Sequence, residues 1–124
     1  MEMKKTILVV DDDEIICSLL KLSLTEQGFR VLTAEDGFAA LDTFTRNGSA
    51  CDLVIVDMSM PGMTGLEVCE RLKGIQPLQK VILSTGNYVS EEDIEEFRNY
   101  GICHVIRKPF NINDFISFLK NEMG

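Results

Sequence analysis

Four consecutive acids, Asp11-Asp12-Asp13-Glu14, follow directly on the apolar run Ile7-Leu8-Val9-Val10. Like charges crowded at a strand end are costly: at ~5 Å and an effective dielectric of ~20, each carboxylate pair repels by roughly 3 kcal/mol. Exposure, protonation or a bound cation must relieve that repulsion. A second apolar run, Leu53-Val54-Ile55-Val56, delivers another acid, Asp57, and Lys108 follows the apolar pair Val105-Ile106 with Arg107 intervening. Two acids, a lone acid and a lysine, each at a strand's C-terminal end, describe a divalent-metal site beside a carboxylate nucleophile.

Such a cluster needs a scaffold that brings distant strand ends together. Five short apolar runs, Ile7–Val10, Val31–Ala34, Leu53–Val56, Val81–Ser84 and Cys103–Ile106, alternate with helix-like segments. The first and third are apolar at nearly every position, as strands covered on both faces are. Ile16, Leu19, Leu20 and Leu24 recur at helical spacing before a stop at Gly28. Leu41 and Phe44 mark a second helix closed near Gly48, and Leu66, Cys69 and Leu72 a third ending before Gly74. Thr64 with Glu67, and Ser90 with Asp93, fit capping boxes. Asn111 is placed to cap a last helix carrying Ile112, Phe115, Ile116 and Leu119. The alternation predicts an α/β fold: a doubly wound, five-stranded parallel sheet with helices on both faces. With strand order 2-1-3-4-5, the functional crevice opens beyond the ends of the first and third strands, where the order reverses. Those strands end in Asp11-Asp12 and in Asp57.

The 124 residues suit one domain, 1–124, with no room for a second. No apolar run approaches the ~20 residues of a membrane span. Lys4-Lys5 precedes too few apolar residues for a secretory segment, so a cytoplasmic protein is expected. Cys17, Cys51, Cys69 and Cys103 contain no C-x-x-C pair and His104 is the sole histidine, which argues against a zinc or redox centre. The thiols are expected to be reduced and packed. A net charge of -8 disfavours direct nucleic-acid binding and points to protein partners.

At this point the chain resembles the receiver domains of two-component response regulators, with chemotaxis-type single-domain receivers as the nearest architecture. The resemblance rests on Leu8-Val9-Val10-Asp11-Asp12, on Asp57 through Gly65, on Ser84-Thr85-Gly86 and on Lys108-Pro109-Phe110, in that order. It implies a flavodoxin-like fold in which Asp57 accepts a phosphoryl group from a histidine on a sensor kinase or a phosphotransfer protein. It implies Mg²⁺ held by Asp12, Asp57 and the Ser59 backbone carbonyl, with Asp11 reaching the ion mainly through water. Thr85 and Lys108 are implied to contact phosphoryl oxygens, and the Lys108–Pro109 peptide to be cis. The implied output is a switched surface that meets a downstream protein target, and a phosphorylation-dependent homodimer is compatible with it. The chemistry agrees: hard Mg²⁺ takes oxygen ligands and keeps several waters. One divalent ion and one ammonium also balance three carboxylates.

Other readings fit less well. A phosphorylation-independent interaction module of the same fold has no need for mutually repelling acids. An aspartyl-phosphate phosphatase of the haloacid-dehalogenase type needs an acid two residues after its nucleophile, where Ser59 stands. Four acids after the first strand would repel a flavin phosphate, and no G-x-x-x-x-G-K is present. His104, in a strand candidate, is expected to pack or sit at the surface rather than donate phosphate. The acids from Glu91 to Glu96 read as a solvated helix face near its positive end. Pro61, Gly62 and Gly65 read as loop architecture. Ser59 and Asn87 flank the site and are expected to tune phosphoryl lifetime. One departure stands out: Val105 occupies the position, three before the lysine, where such receivers commonly carry a switching aromatic.

Overall fold

The computed structural model describes residues 4–47 and 51–123. Five strands, β1 (Thr6–Val10), β2 (Arg30–Ala34), β3 (Leu53–Asp57), β4 (Val81–Thr85) and β5 (Ile102–Arg107), form one parallel sheet in the order β2-β1-β3-β4-β5. The helices between and after them are α1 (Glu14–Glu26), α2 (Gly37–Arg46), α3 (Gly65–Ile75), α4 (Glu91–Phe97) and α5 (Ile112–Met123). Both the parallel α/β fold and its strand order are as the sequence predicts.

Every residue of β1, β3 and β4 is buried, because these strands are sandwiched between two helical layers. The period of two divides their side chains. Leu8, Val10, Val54, Val56 and Leu83 meet Ala40 and Phe44 of α2, Val68, Cys69 and Leu72 of α3, and Phe97 of α4. Ile7, Val9, Ile55 and Ile82 point the other way, onto Cys17, Leu20 and Leu24 of α1 and Phe115 and Leu119 of α5. The two cores hold the sheet rigid and leave the strand ends as the common edge on which the acids sit.

Several local expectations need correction. Leu19 is 47% exposed, and Cys17 takes its place in the α1 face. The buried stripe is therefore 17, 20 and 24, with Ile16 partly buried beside it and Leu19 outside it. Gly74 does not stop α3, which runs on to Ile75 with open space around the glycine. Thr64 accepts from the Glu67 amide at 3.3 Å but makes only half of its box, since the Glu67 carboxylate bonds the Thr64 hydroxyl rather than the Thr64 amide. Ser90 and Asp93 complete theirs in both directions. Asn111 Oδ1 accepts from the amides of Asn113 and Asp114 at 2.9 and 3.1 Å, as a cap should. The stop expected near Gly48 lies outside the described residues. Three of the four thiols are packed: Cys17 and Cys69 are buried and Cys51 is half-buried against the α2–α3–α4 core, whereas Cys103 is exposed. Its strand β5 lies at the sheet edge, and His104 is exposed there too, stacked on Phe118 with ring centroids 4.3 Å apart.

Candidate metal and phosphoryl-acceptor site

The acidic run is divided by the fold into three jobs. Asp13 caps α1, its Oδ1 accepting from the amides of Ile15 at 2.9 Å and Ile16 at 3.3 Å. Asp11 turns inward and is 3% exposed. Its Oδ1 accepts from the Asp13 amide at 2.9 Å, and its Oδ2 accepts from Lys108 Nζ at 2.8 Å. Asp12, between them, is exposed. Sequence reasoning missed the capping role of Asp13, although an acid just ahead of a helical pattern is the ordinary signal for it.

Asp57 closes β3 and is 7% exposed. Its carboxylate faces the end of β1: Asp11, Asp12 and Asp57 each offer one oxygen, and the three atoms lie within 4.8 Å of one another. Oxygens sharing an octahedral ion at ~2.1 Å stand roughly 3–4 Å apart, so this set fits a small hard cation with a slight tightening. Lys108 Nζ lies 2.8 Å from Asp11 Oδ2 and 3.5 Å from Asp57 Oδ2, bridging the strand-one and strand-three acids. Burial, and then the Asp11 charge, raise the Asp57 pKa above its ordinary 3.8, against the lowering influence of Lys108 and the Ser59 backbone amide. At Lys108, burial works against the ammonium, but the Asp11 and Asp57 carboxylates outweigh it and the pKa rises.

Three backbone hydrogen bonds hold these strand ends in place. The Asp11 amide donates to Ala34 O at 3.1 Å, the Met58 amide to Ser84 O at 2.8 Å, and the Lys108 amide to Thr85 O at 2.8 Å. Thr85 is 1% exposed, and its Oγ1 accepts from the Asn87 amide at 3.1 Å. The Lys108–Pro109 peptide is cis. Ser59 is exposed in the loop after Asp57, Asn87 is exposed after Thr85, and Val105 is half-buried against the α2–α3–α4 core. The fold thus brings Asp11, Asp12, Asp57 and Lys108 into direct register. Thr85 adjoins them through the backbone of Lys108.

A family profile described as "Response regulator receiver domain" matches residues 7–120. Sporulation initiation phosphotransferase F of Bacillus subtilis is 35% identical over 98% of this chain and 95% of its own length. Several other curated relatives are longer, and the chain spans about half of their length. Among solved structures, the chemotaxis protein CheY4 of Vibrio cholerae superposes with a TM-score of 0.87 at 27% identity, covering 96% of this chain and 98% of that one. The response regulator TrrA of Thermotoga maritima, solved in complex with Mg²⁺–BeF, has a TM-score of 0.77 at 35% identity, covering 94% and 97%.

Proposed function

We propose a function from one premise: the chain belongs to the response regulator receiver-domain family, a family of phosphorelay signalling modules rather than classical enzymes. On that premise we propose that Asp57 is its phosphoryl acceptor and that Asp11, Asp12, Asp57 and the Ser59 carbonyl hold Mg²⁺. One observation carries this reading: three carboxylate oxygens from two strand ends lie within 4.8 Å, with one ammonium bridging Asp11 and Asp57. A phosphorylation-independent module would gain nothing from that crowding.

In the proposed reaction an Asp57 carboxylate oxygen forms a bond to phosphorus while the donor's N–P bond breaks, its electron pair staying on the imidazole nitrogen. Mg²⁺ held by these residues would supply positive charge to the phosphoryl oxygens of a loose, anionic transition state. Lys108, hydrogen-bonded to Asp11 and 3.5 Å from Asp57 Oδ2, adds a second positive charge within short reach of the incoming phosphoryl group. Thr85 Oγ1 offers its proton to a phosphoryl oxygen, and Asn87 and Ser59 flank the approach of water. The chain acts catalytically on itself alone.

The donor is a histidine of a sensor kinase or a phosphotransfer protein. A surface beside the site supports a protein donor: Ile15 is 78% and Leu19 47% exposed on α1. A groove of about 410 Å³ lies alongside, lined by Ile16, Leu19, Leu20 and the Lys108-Pro109-Phe110 turn. Contiguous exposed apolar surface of this kind marks interaction sites. A downstream protein reads the phosphorylated surface, and a homodimer of the phosphorylated form is a further expected readout. The free thiols suit a reducing cytoplasm. Single residues 1–124 act as one receiver unit in this reading.

Mg²⁺-dependent labelling by acetyl phosphate tests the proposal directly. Label that is lost on chelation and absent in Asp57→Asn supports it; label retained by Asp57→Asn sinks it. Phosphotransfer profiling against the host's histidine kinases then identifies the donor.

A further inference from the structure

We propose that Gly65 is a positioning residue for the acceptor site, setting where Asp57 and the loop carrying Ser59 lie relative to the acids of β1. The inference rests on the reading of that site given above. It begins with a steric fact. A Cβ at residue 65 would collide with the Asp57 carbonyl oxygen and lie 2.7 Å from Met58 Cα and 3.0 Å from the Asp57 carbonyl carbon. All three are backbone atoms, so no side chain can swing aside to admit a methyl group.

The backbone there is pinned from two sides. The Met58 amide donates to Ser84 O of β4 at 2.8 Å, and the Gly65 amide donates to Met58 O at 2.9 Å. The second bond closes the loop from Met58 to Thr64 and seats the first residue of α3 directly on the end of β3. Any side chain at 65 must therefore lift α3 off Met58 or push the β3 end away from β4. Asp11 and Asp12 hang from a different anchor, the Asp11 amide on Ala34 O. Val10 pairs with Val56 of β3, but the Asp11 amide itself is held by β2, so the two acids would follow such a shift only in part and the three carboxylate oxygens would lose their common centre.

Gly65 is not there to reach a left-handed conformation; positive φ in this loop belongs to Gly62, at 85°. Nor does helix propensity favour it, since glycine is among the poorest helix formers. The neighbouring Gly74 of the same helix is the counter-example, because a Cβ there would meet nothing within 4 Å. A metal that demands near-ideal octahedral geometry is sensitive to sub-ångström displacement of its ligands, and disturbing the supports of such ligands weakens metal affinity by about 10–100-fold.

The test compares Gly65→Ala, Thr64→Ala, Gly74→Ala and Leu119→Ala with the unsubstituted chain, by Mg²⁺ titration followed by NMR and by urea unfolding. Thr64→Ala loosens the start of α3 by removing its cap, without adding an atom, so it carries the test if Gly65→Ala does not fold. Leu119→Ala lowers stability from the opposite helical layer. The expected result is a Mg²⁺ dissociation constant raised about tenfold or more in Gly65→Ala and raised measurably in Thr64→Ala. In Gly74→Ala and Leu119→Ala it stays within about twofold of the unsubstituted value, whatever their stability. Unchanged affinity in a folded Gly65→Ala, or in Thr64→Ala, overturns the inference. So does an equal loss in Leu119→Ala, which would make the effect one of stability alone. If the unsubstituted chain itself binds no Mg²⁺, the reading of the site fails rather than the role of Gly65.

Discussion

Asp57→Asn removes one carboxylate from the cluster while keeping its shape, and the structure gives both sign and size to the result. In metal-free solution Asp57 repels Asp11 and Asp12 and attracts Lys108. With oxygens no more than 4.8 Å apart, each repulsion is about 3–4 kcal/mol at an effective dielectric of ~20. Asp12 is exposed, so solvent roughly halves its share. Lys108, 3.5 Å away, returns about 5 kcal/mol, but it is already committed to Asp11 at 2.8 Å and keeps that partner in the variant. The electrostatic balance alone is therefore close to even or slightly unfavourable. Burial of the Asp57 charge, the largest influence on its pKa, makes it clearly unfavourable. The amide variant is expected to be more stable than the unsubstituted chain by about 2 kcal/mol without metal, roughly 5–10 °C in Tm.

The pH dependence follows from the same shift. The folded chain holds the Asp57 proton more tightly than the unfolded chain, because burial and Asp11 raise its pKa above 3.8. Stability from this group is thus intact while the carboxyl is protonated in both states. It is lost as pH rises from about 4 through the raised folded value. Asp57→Asn should flatten that decline, and saturating Mg²⁺ should reverse the order by stabilising only the chain with all three carboxylates. Urea unfolding in chelator and in Mg²⁺, across acid to neutral pH, reads all three outcomes. A less stable Asp57→Asn in chelator refutes the account of the site as a strained cluster of acids.

The remaining expectations probe the other members of the site and the packing behind it. Asp12→Ala should raise metal-free stability by less than Asp57→Asn, since Asp12 is exposed, while abolishing Mg²⁺ binding; thermal melts and calorimetric titration check both. Lys108→Ala strands the buried Asp11 carboxylate, a loss of about 3 kcal/mol in chelator, and Mg²⁺ should restore more stability to this variant than to the unsubstituted chain. Thiol labelling of the native protein should modify the exposed Cys103 first. Cys69, raised by burial to about 12, and Cys17, raised by burial and by Asp11 to about 11, should react only on unfolding.

The sheet was legible because its strands are short, apolar and punctuated by helices with chemical caps, and parallel α/β topology then leaves few arrangements. The acids were legible because so many carboxylates after an apolar run call for a cation, a partner charge or a helix N-terminus, and the structure supplies the last to Asp13 and Lys108 to Asp11. What the sequence hides is how a one-dimensional run is shared out in space. Asp11, Asp12 and Asp13 are identical in type, and only the turn into α1 decides that one is buried, one exposed and one a cap. The α1 face was misread for a related reason: leucines outvoted Cys17, although the thiol lies in line with Leu20 and Leu24. Lys108 was read as neutralising the cluster as a whole, whereas its shorter contact is to Asp11. Gly65 passed for loop architecture because its steric role depends on the closeness of two backbones, which no local pattern records.

The site is best understood as three strand tails tied to their neighbours. The β1 tail hangs on β2 through Ala34, the β3 tail on β4 through Ser84, and the β5 tail on β4 through Thr85. The side chains at these tails, by contrast, interact across strands, through Lys108 and the shared carboxylate oxygens. The tails of Asp57 and Lys108 thus meet β4 at adjacent residues: Ser84 holds the Met58 backbone and Thr85 holds the Lys108 backbone. Thr85 also fixes the next loop, through the Asn87 amide on its hydroxyl. Val105 pairs with Leu83 in the sheet and packs against the core behind it, carrying no ring that could swing outward. In this chain the end of β4 is where the Asp57 tail, the Lys108 tail and the following loop are joined.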